Sequence, residues 1–166
     1  MNPKDSSEAS GDSPEWSVTA VDESEHAPRF AYSVGFGQLF DHPEVIVFGL
    51  EHQLAHSILS LIAADLAGGG SYAAPGKYDG VLESAQVAIR PVDETQHEIY
   101  LGYGMERFRQ AGRAGELKAV QLFWPDRQGL FPYEGGCDAS VSHLQPSLQL
   151  PVTPTERAEL LGDIDE

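Results

Sequence analysis

Residues 30–50 read Phe-Ala-Tyr-Ser-Val-Gly-Phe-Gly-Gln-Leu-Phe-Asp-His-Pro-Glu-Val-Ile-Val-Phe-Gly-Leu, and this stretch decides the fold. It sets two strand-like segments around a tight polar turn, Asp41-His42-Pro43-Glu44. In the first segment Phe30, Tyr32, Val34 and Phe36 alternate with Ala31, Ser33, Gly35 and Gly37, so one face is bulky and the other is stripped almost to backbone. A face without side chains marks a close approach by another element or a ligand. The second segment, Val45 to Leu50, is continuously apolar, as a strand buried on both faces must be.

Working outward, Trp16 to Val21 alternates and is rich in β-branched residues, which predicts a leading strand. After Leu50 the period changes: Ala55, Ile58, Leu59, Ile62 and Leu66 form a helical stripe that Gly68-Gly69-Gly70 ends. Residues 71–84 read as a loop, and Gln86 to Val92 as a strand. Thr95-Gln96-His97-Glu98 fits a capping box for a helix carrying Leu101, Met105 and Phe108, weakened by Gly102 and Gly104. Lys118 to Trp124 is another strand, followed by a short closing strand, Leu130 to Tyr133. Three leading strands with short connections must be largely antiparallel. The predicted class is α+β, with a small, mostly antiparallel curled sheet or split-barrel-like arrangement and two main helices.

The chain has 166 residues, a single-domain length, and a formal charge of −16 from 26 acidic and 10 basic residues. Seven acids against one Lys fall in residues 1–25, and five acids against one Arg in 152–166. The expected division is a disordered acidic tail over 1–15, a globular domain over 16–150 and an acidic C-terminal tail over 151–166 with at most one helical turn around Thr155-Glu156-Arg157. Such a charge repels nucleic acid and anionic membrane surfaces. No apolar run reaches membrane-spanning length and no signal peptide is expected, so the expected location is the cytoplasm. A single cysteine, Cys137, excludes an internal disulfide.

The densest ionisable cluster is the 41–44 turn. A neighbouring carboxylate would favour protonated imidazole and poise His42 for proton transfer, whereas the plain alternative is a connecting turn with its acids in solvent. His52 and His56 share a helix face, but the HExxH order is absent and a third ligand would have to come from His42 or His97 through the fold, so no metal is assigned. Gly35-Phe36-Gly37-Gln38-Leu39-Phe40 lacks the third glycine of a dinucleotide fingerprint, although the amides of Ser33 to Gly37 could still cradle a phosphate. Cys137 has acidic neighbours that disfavour a thiolate. Tyr32, Phe36, Phe123, Trp124, Phe131 and Tyr133 would either wall a pocket for a flat ligand or simply fill a core.

Several pieces in fixed order, Phe30-Ala-Tyr-Ser-Val-Gly, His42-Pro-Glu-Val-Ile-Val-Phe-Gly-Leu50, Tyr100-Leu-Gly-Tyr103, Gln121-Leu-Phe-Trp-Pro-Asp-Arg127 and Gly129-Leu-Phe-Pro132, resemble a bacterial family, the domain of unknown function numbered 4262. The likeness runs from about Trp16 to Pro146 and implies no activity. Three strands, a helix after an apolar third strand, and further strands also look like the flavin-binding split barrels, an analogy of fold alone. That likeness implies a flavin or deazaflavin beside residues 32–44, with Tyr32, Ser33, Gly35 and Trp124 contacting it, His42 orienting a substrate or donating a proton, and a homodimer. The competing expectation is a non-catalytic binding or regulatory interaction module.

Overall fold

The structure is a computed structural model and describes residues 15–165. All but Glu15 of the expected disordered tail lies outside the described residues. Six strands form one sheet: β1 Ser17–Val21, β2 Phe30–Val34, β3 Glu44–Phe48, β4 Gly76–Tyr78, β5 Val87–Pro91 and β6 Ala119–Phe123. Their order is β1-β2-β3-β6-β5-β4. The three leading strands are antiparallel neighbours, as expected, with Tyr32 opposite Thr19 on one side and Ile46 on the other. β3 and β6 run parallel, with Val45 opposite Val120, while β6, β5 and β4 are antiparallel. The sheet is therefore mixed and open, with β1 and β4 at its edges. The split-barrel-like closure is not formed, because β6 inserts beside β3 at the centre and leaves β1 and β4 at opposite edges.

Helices cover both faces. α1 is Phe36–Phe40, α2 His52–Ala67, α3 His97–Tyr100, α4 Gly102–Gln110, α5 Ala139–Ser142 and α6 Pro154–Asp165. The predicted stripe of α2 is buried against Ala31, Val45, Val47, Val87, Ile89, Val120 and Leu122. Because side chains alternate along a strand, the intervening residues Phe30, Tyr32, Val34, Ile46 and Phe48 face the other way and pack with Leu101, Phe108, Leu117 and Leu148. This double coverage explains why all five residues of β2, β3 and β6 are buried.

Four local expectations are corrected. The strand over 30–37 stops at Val34, since Gly35 takes a left-handed φ of 118° and α1 begins at Phe36. The helix expected to start at a Thr95 capping box is instead capped by Asp93, which accepts from the Thr95 amide, and it breaks at Leu101 into α3 and α4. Leu130 to Tyr133 is a turn and not a strand: the Asp126 carboxylate accepts the amides of Gln128, Leu130 and Asp138 and curls the chain around itself. Finally, the single turn expected around Glu156 is extended to the 12-residue α6, anchored by an ion pair between Arg157 and Glu98.

Gly104 shows why α4 carries a glycine that its helix propensity disfavours. A β-carbon there would meet Tyr32 Cε2 and Leu117 Cδ1, each at 3.3 Å, and the Gly104 amide donates to the Tyr32 hydroxyl at 3.2 Å. The glycine lets α4 lie close on β2.

Candidate functional site

The 33–44 region is built around a buried carboxylate. Glu44, 1% exposed, is the first residue of β3. Its Oε1 accepts from the Ser33 hydroxyl at 2.7 Å and the Phe36 amide at 3.1 Å; its Oε2 accepts from the amides of Gly35 at 3.2 Å and Gly37 at 3.0 Å. The three amides are donors that α1 leaves unsatisfied at its start, and a carboxylate has about four acceptor sites to offer them and the Ser33 hydroxyl. Burial pushes the Glu44 carboxyl above its ordinary value, and the four hydrogen bonds pull against that rise. Ser33 Oγ also accepts from the Val45 amide at 3.0 Å, so both its donor and an acceptor site are committed. The amides proposed as a phosphate cradle are occupied by the chain's own Glu44.

What approaches the bare face of β2 is likewise the chain itself. A β-carbon on Gly35 would lie 2.5 Å from the Glu15 carbonyl oxygen and 2.7 Å from Trp16 Cα.

His42 is buried, at 7% exposure. Its Nδ1 lies 2.7 Å from the Pro43 carbonyl oxygen, and its Nε2 accepts from the Tyr72 amide at 2.9 Å. Donation from Nδ1–H and acceptance at Nε2 define a neutral tautomer with both nitrogens engaged. Burial lowers the His42 pKa, whereas the sequence pattern suggested a carboxylate that would raise it. The Tyr72 hydroxyl in turn donates to Asp65 of α2, pinning the loop after that helix.

The other expected contacts lie apart. Tyr32 is fully buried and Trp124 sits past the end of β6, where its Nε1 donates to the Phe48 carbonyl at 2.8 Å. Glu44 and Phe48 are the two ends of β3, so Trp124 and the Ser33–Glu44 cluster are separated by roughly 13 Å along the strand. The aromatic residues divide in the same way: Phe36 packs on the α2 face, Tyr32 on the α4 face, and Phe123, Phe131 and Tyr133 form a third cluster. His52 binds Asp22 at 2.9 Å and His56 Nδ1 lies 3.4 Å from Ser60 Oγ; among the described residues no three His, Cys, Asp or Glu side chains are grouped to hold a metal. The Cys137 thiol is pushed up by burial and by Asp126 and Asp138.

A cavity of ligand-sized volume lies next door, on the α4 side. A groove of about 770 Å³ runs between α3, α4 and the start of β6. Its floor is Val92, Phe108, Leu117 and Ala119, all buried, and its rim carries charged side chains including Lys118 and Arg109. His97 lines its wall at 8% exposure, and the His97 Nε2 is buried without a hydrogen-bond partner. Burial lowers the His97 pKa against the pull of Glu94 and Asp93, which favours a neutral ring. The Glu44 cluster stands directly behind this floor: the Phe108 ring abuts Gly37, and the Glu44 amide donates to the Lys118 carbonyl at 2.9 Å. The only advance signal of the groove was the pair of glycines in α4.

Fold and site together define a three-layered α+β domain with an open mixed sheet and a groove on one helical face. The family described as a domain of unknown function (DUF4262) matches residues 12–138, and the chain belongs to it. No curated protein and no solved structure matches the chain.

Proposed function

We propose that this domain binds a small, flat, largely apolar molecule in the groove between α3, α4 and β6. The observation that carries the reading is a buried apolar floor, Val92, Phe108, Leu117 and Ala119, under a space of about 770 Å³ with polar side chains at its rim. Small-molecule sites combine these features, an apolar lining with a few placed polar groups, in cavities of about 300–1,000 Å³. A flavin or deazaflavin ring, an apolar plate edged with hydrogen-bonding groups, has matching chemistry. Among the described residues no hydroxyl or thiol side chain lines the groove; a redox step there would be the ligand's own chemistry, with the protein supplying position and hydrogen bonds. Under this reading Ser33, Gly35, Tyr32 and His42 hold the wall behind the groove, and Trp124 anchors the far end of β3.

The test is a titration of riboflavin and a deazaflavin, followed by quenching of ligand fluorescence, in the wild type and in Met105→Trp, which fills the groove mouth. Saturable quenching lost in the variant supports the reading; quenching that survives it, or none at all, overturns it. A second reading, an interaction module, draws support from β1, an edge strand that pairs only with β2 among the described residues. Free strand edges accept further strands. A homodimer abolished by a proline at Thr19, seen by light scattering, would favour that reading.

A further inference from the structure

The sheet ends in two unlike edges. β4, at one, has three residues and carries Lys77, a short charged edge of the kind that blocks further pairing. β1, at the other, has five residues, Ser17-Val18-Thr19-Ala20-Val21, paired with β2 in unbroken register. It holds no charge, proline or bulge, in a chain of formal charge −16. The ladder shows which of its main-chain groups are free. Continuing the register that sets Phe30 against Phe48, Arg29 stands opposite Gly49, and the Gly49 amide donates to the Arg29 carbonyl at 2.8 Å. Bonded pairs alternate along an antiparallel strand, so Phe30 and Tyr32 turn their main-chain groups to β1. Val21 and Thr19, opposite them, bond back to β2, and Val18 and Ala20 direct N–H and C=O outward. Side chains alternate as well: Trp16 and Val18 pack on the α2 face, which Ala20 shares, while Ser17 and Thr19 lie on the other.

We propose that β1 pairs antiparallel with β1 of a second copy of this chain, about a two-fold axis at Val18, joining two sheets into one. This rests on the strand-addition reading of β1 above and names its partner and register; it is independent of the groove. An axis normal to the sheet sets one residue against its own copy, which within the strand centre means Val18, Thr19 or Ala20. At Val18, the α2 face pairs Val18 with Val18 and Trp16 with Ala20, apolar against apolar, and the other face pairs Ser17 with Thr19, hydroxyl against hydroxyl. The outward groups of these residues then form about six main-chain hydrogen bonds, and Glu15 falls opposite Val21. An axis at Thr19 would set Glu15 against Glu23, like charges that oppose pairing, and one at Ala20 would set Val18 against Asp22.

A seam this short falls below the area of about 1,200 Å² typical of stable complexes, so the dimer is transient and concentration-dependent. Sedimentation from about 5 µM to about 500 µM should carry the mean mass from 18.0 kDa toward twice that value. Added salt should favour the dimer by screening the repulsion between two acidic chains. Ala20→Pro removes an outward amide and spares the β2 ladder, from which a proline at Thr19 also takes a donor. It should stay monomeric across the range with an unchanged circular dichroism spectrum. If it unfolds, Ala20→Glu, which sets a carboxylate against Trp16 of the second copy, takes its place. Register is read in the Cys137→Ser background by mild oxidation of Val18→Cys, Thr19→Cys and Ala20→Cys. Only Val18→Cys should yield a crosslinked dimer, its two Cα atoms lying about 5.5 Å apart, against about 8 Å and about 14 Å for the others. A monomer at every concentration overturns the inference, whether the edge stays open or another segment covers it, and so does a dimer that survives the Ala20 substitution. A crosslink at Thr19→Cys or Ala20→Cys in place of Val18→Cys overturns the inference while leaving strand addition at β1.

Discussion

Replacing Glu44 by glutamine keeps the side-chain volume and alters only what the site offers to four converging donors. Each carboxylate oxygen accepts two of them, Ser33 Oγ and the Phe36 amide on one, the Gly35 and Gly37 amides on the other. A glutamine amide has one oxygen, so its NH₂ would face two N–H or O–H donors whichever way it is turned. Two buried donors lose their acceptors, at about 1–3 kcal/mol each. Removing a buried charge returns part of that loss, because desolvation is what pushes the Glu44 carboxyl up. A net destabilisation of about 2 kcal/mol follows, which at a urea dependence of about 2 kcal/mol/M lowers the unfolding midpoint by about 1 M. Trp16, whose ring centroid is 5.4 Å from that of Phe36, reports the transition by fluorescence beside α1. A midpoint unchanged or raised, with the same denaturant dependence, would refute the reasoning and show that desolvation outweighs the four bonds.

Gly35→Ala forces a β-carbon onto backbone atoms of Glu15 and Trp16 at a φ of 118°, and should cost about 3 kcal/mol by the same urea assay, above the 1–2 kcal/mol of left-handed strain alone. Gln121, fully buried, accepts from the Leu148 amide at 2.9 Å and donates to the Pro146 carbonyl at 2.6 Å. Gln121→Leu should therefore destabilise by about 2–4 kcal/mol and speed proteolytic cleavage near residues 143–150, as mass spectrometry of the fragments would show. His42 and His97 have pKa values lowered by burial from 6.5, so the unfolded chain takes up protons first as acid is added. Their contribution to stability is fully present above pH 6.5 and is lost as the pH falls through their folded values. Urea midpoints measured from about pH 8 to about pH 5 should decline below about pH 6.5, and the decline should be shallower in His42→Gln.

Local pattern carried much of the architecture. The alternation in Trp16 to Val21 and Phe30 to Val34, the apolar run after Glu44 and the α2 stripe each follow from the period at which side chains must meet a core, and that period is written in adjacent residues. The pairing of β1, β2 and β3 followed from connections too short for anything but antiparallel neighbours. What failed depended on partners distant in sequence. Gly35 and Gly37 read as strand positions until Glu44, beyond the turn, supplies the acceptors for a helix start. The plain reading of the turn put its acids, Asp41 and Glu44, in solvent because charge alone predicts exposure; the Ser33 hydroxyl and the Tyr72 amide, contributed from other elements, make the burial of Glu44 and His42 tolerable.

The α+β class, the family membership, the extent of α2 and the acidic balance of the chain were legible in the residues alone, since all are sums or short-range patterns. The open sheet, the entry of β6 beside β3 and the groove of about 770 Å³ along α4 emerge only once the elements are packed together. Those outcomes depend on which faces meet. The alternation of side chains along β2 and β3 sends Ser33 and Val45 toward α2 and Tyr32 and Ile46 toward α4, and the close approach that Gly104 permits leaves a groove beside His97 that no local run of residues encodes.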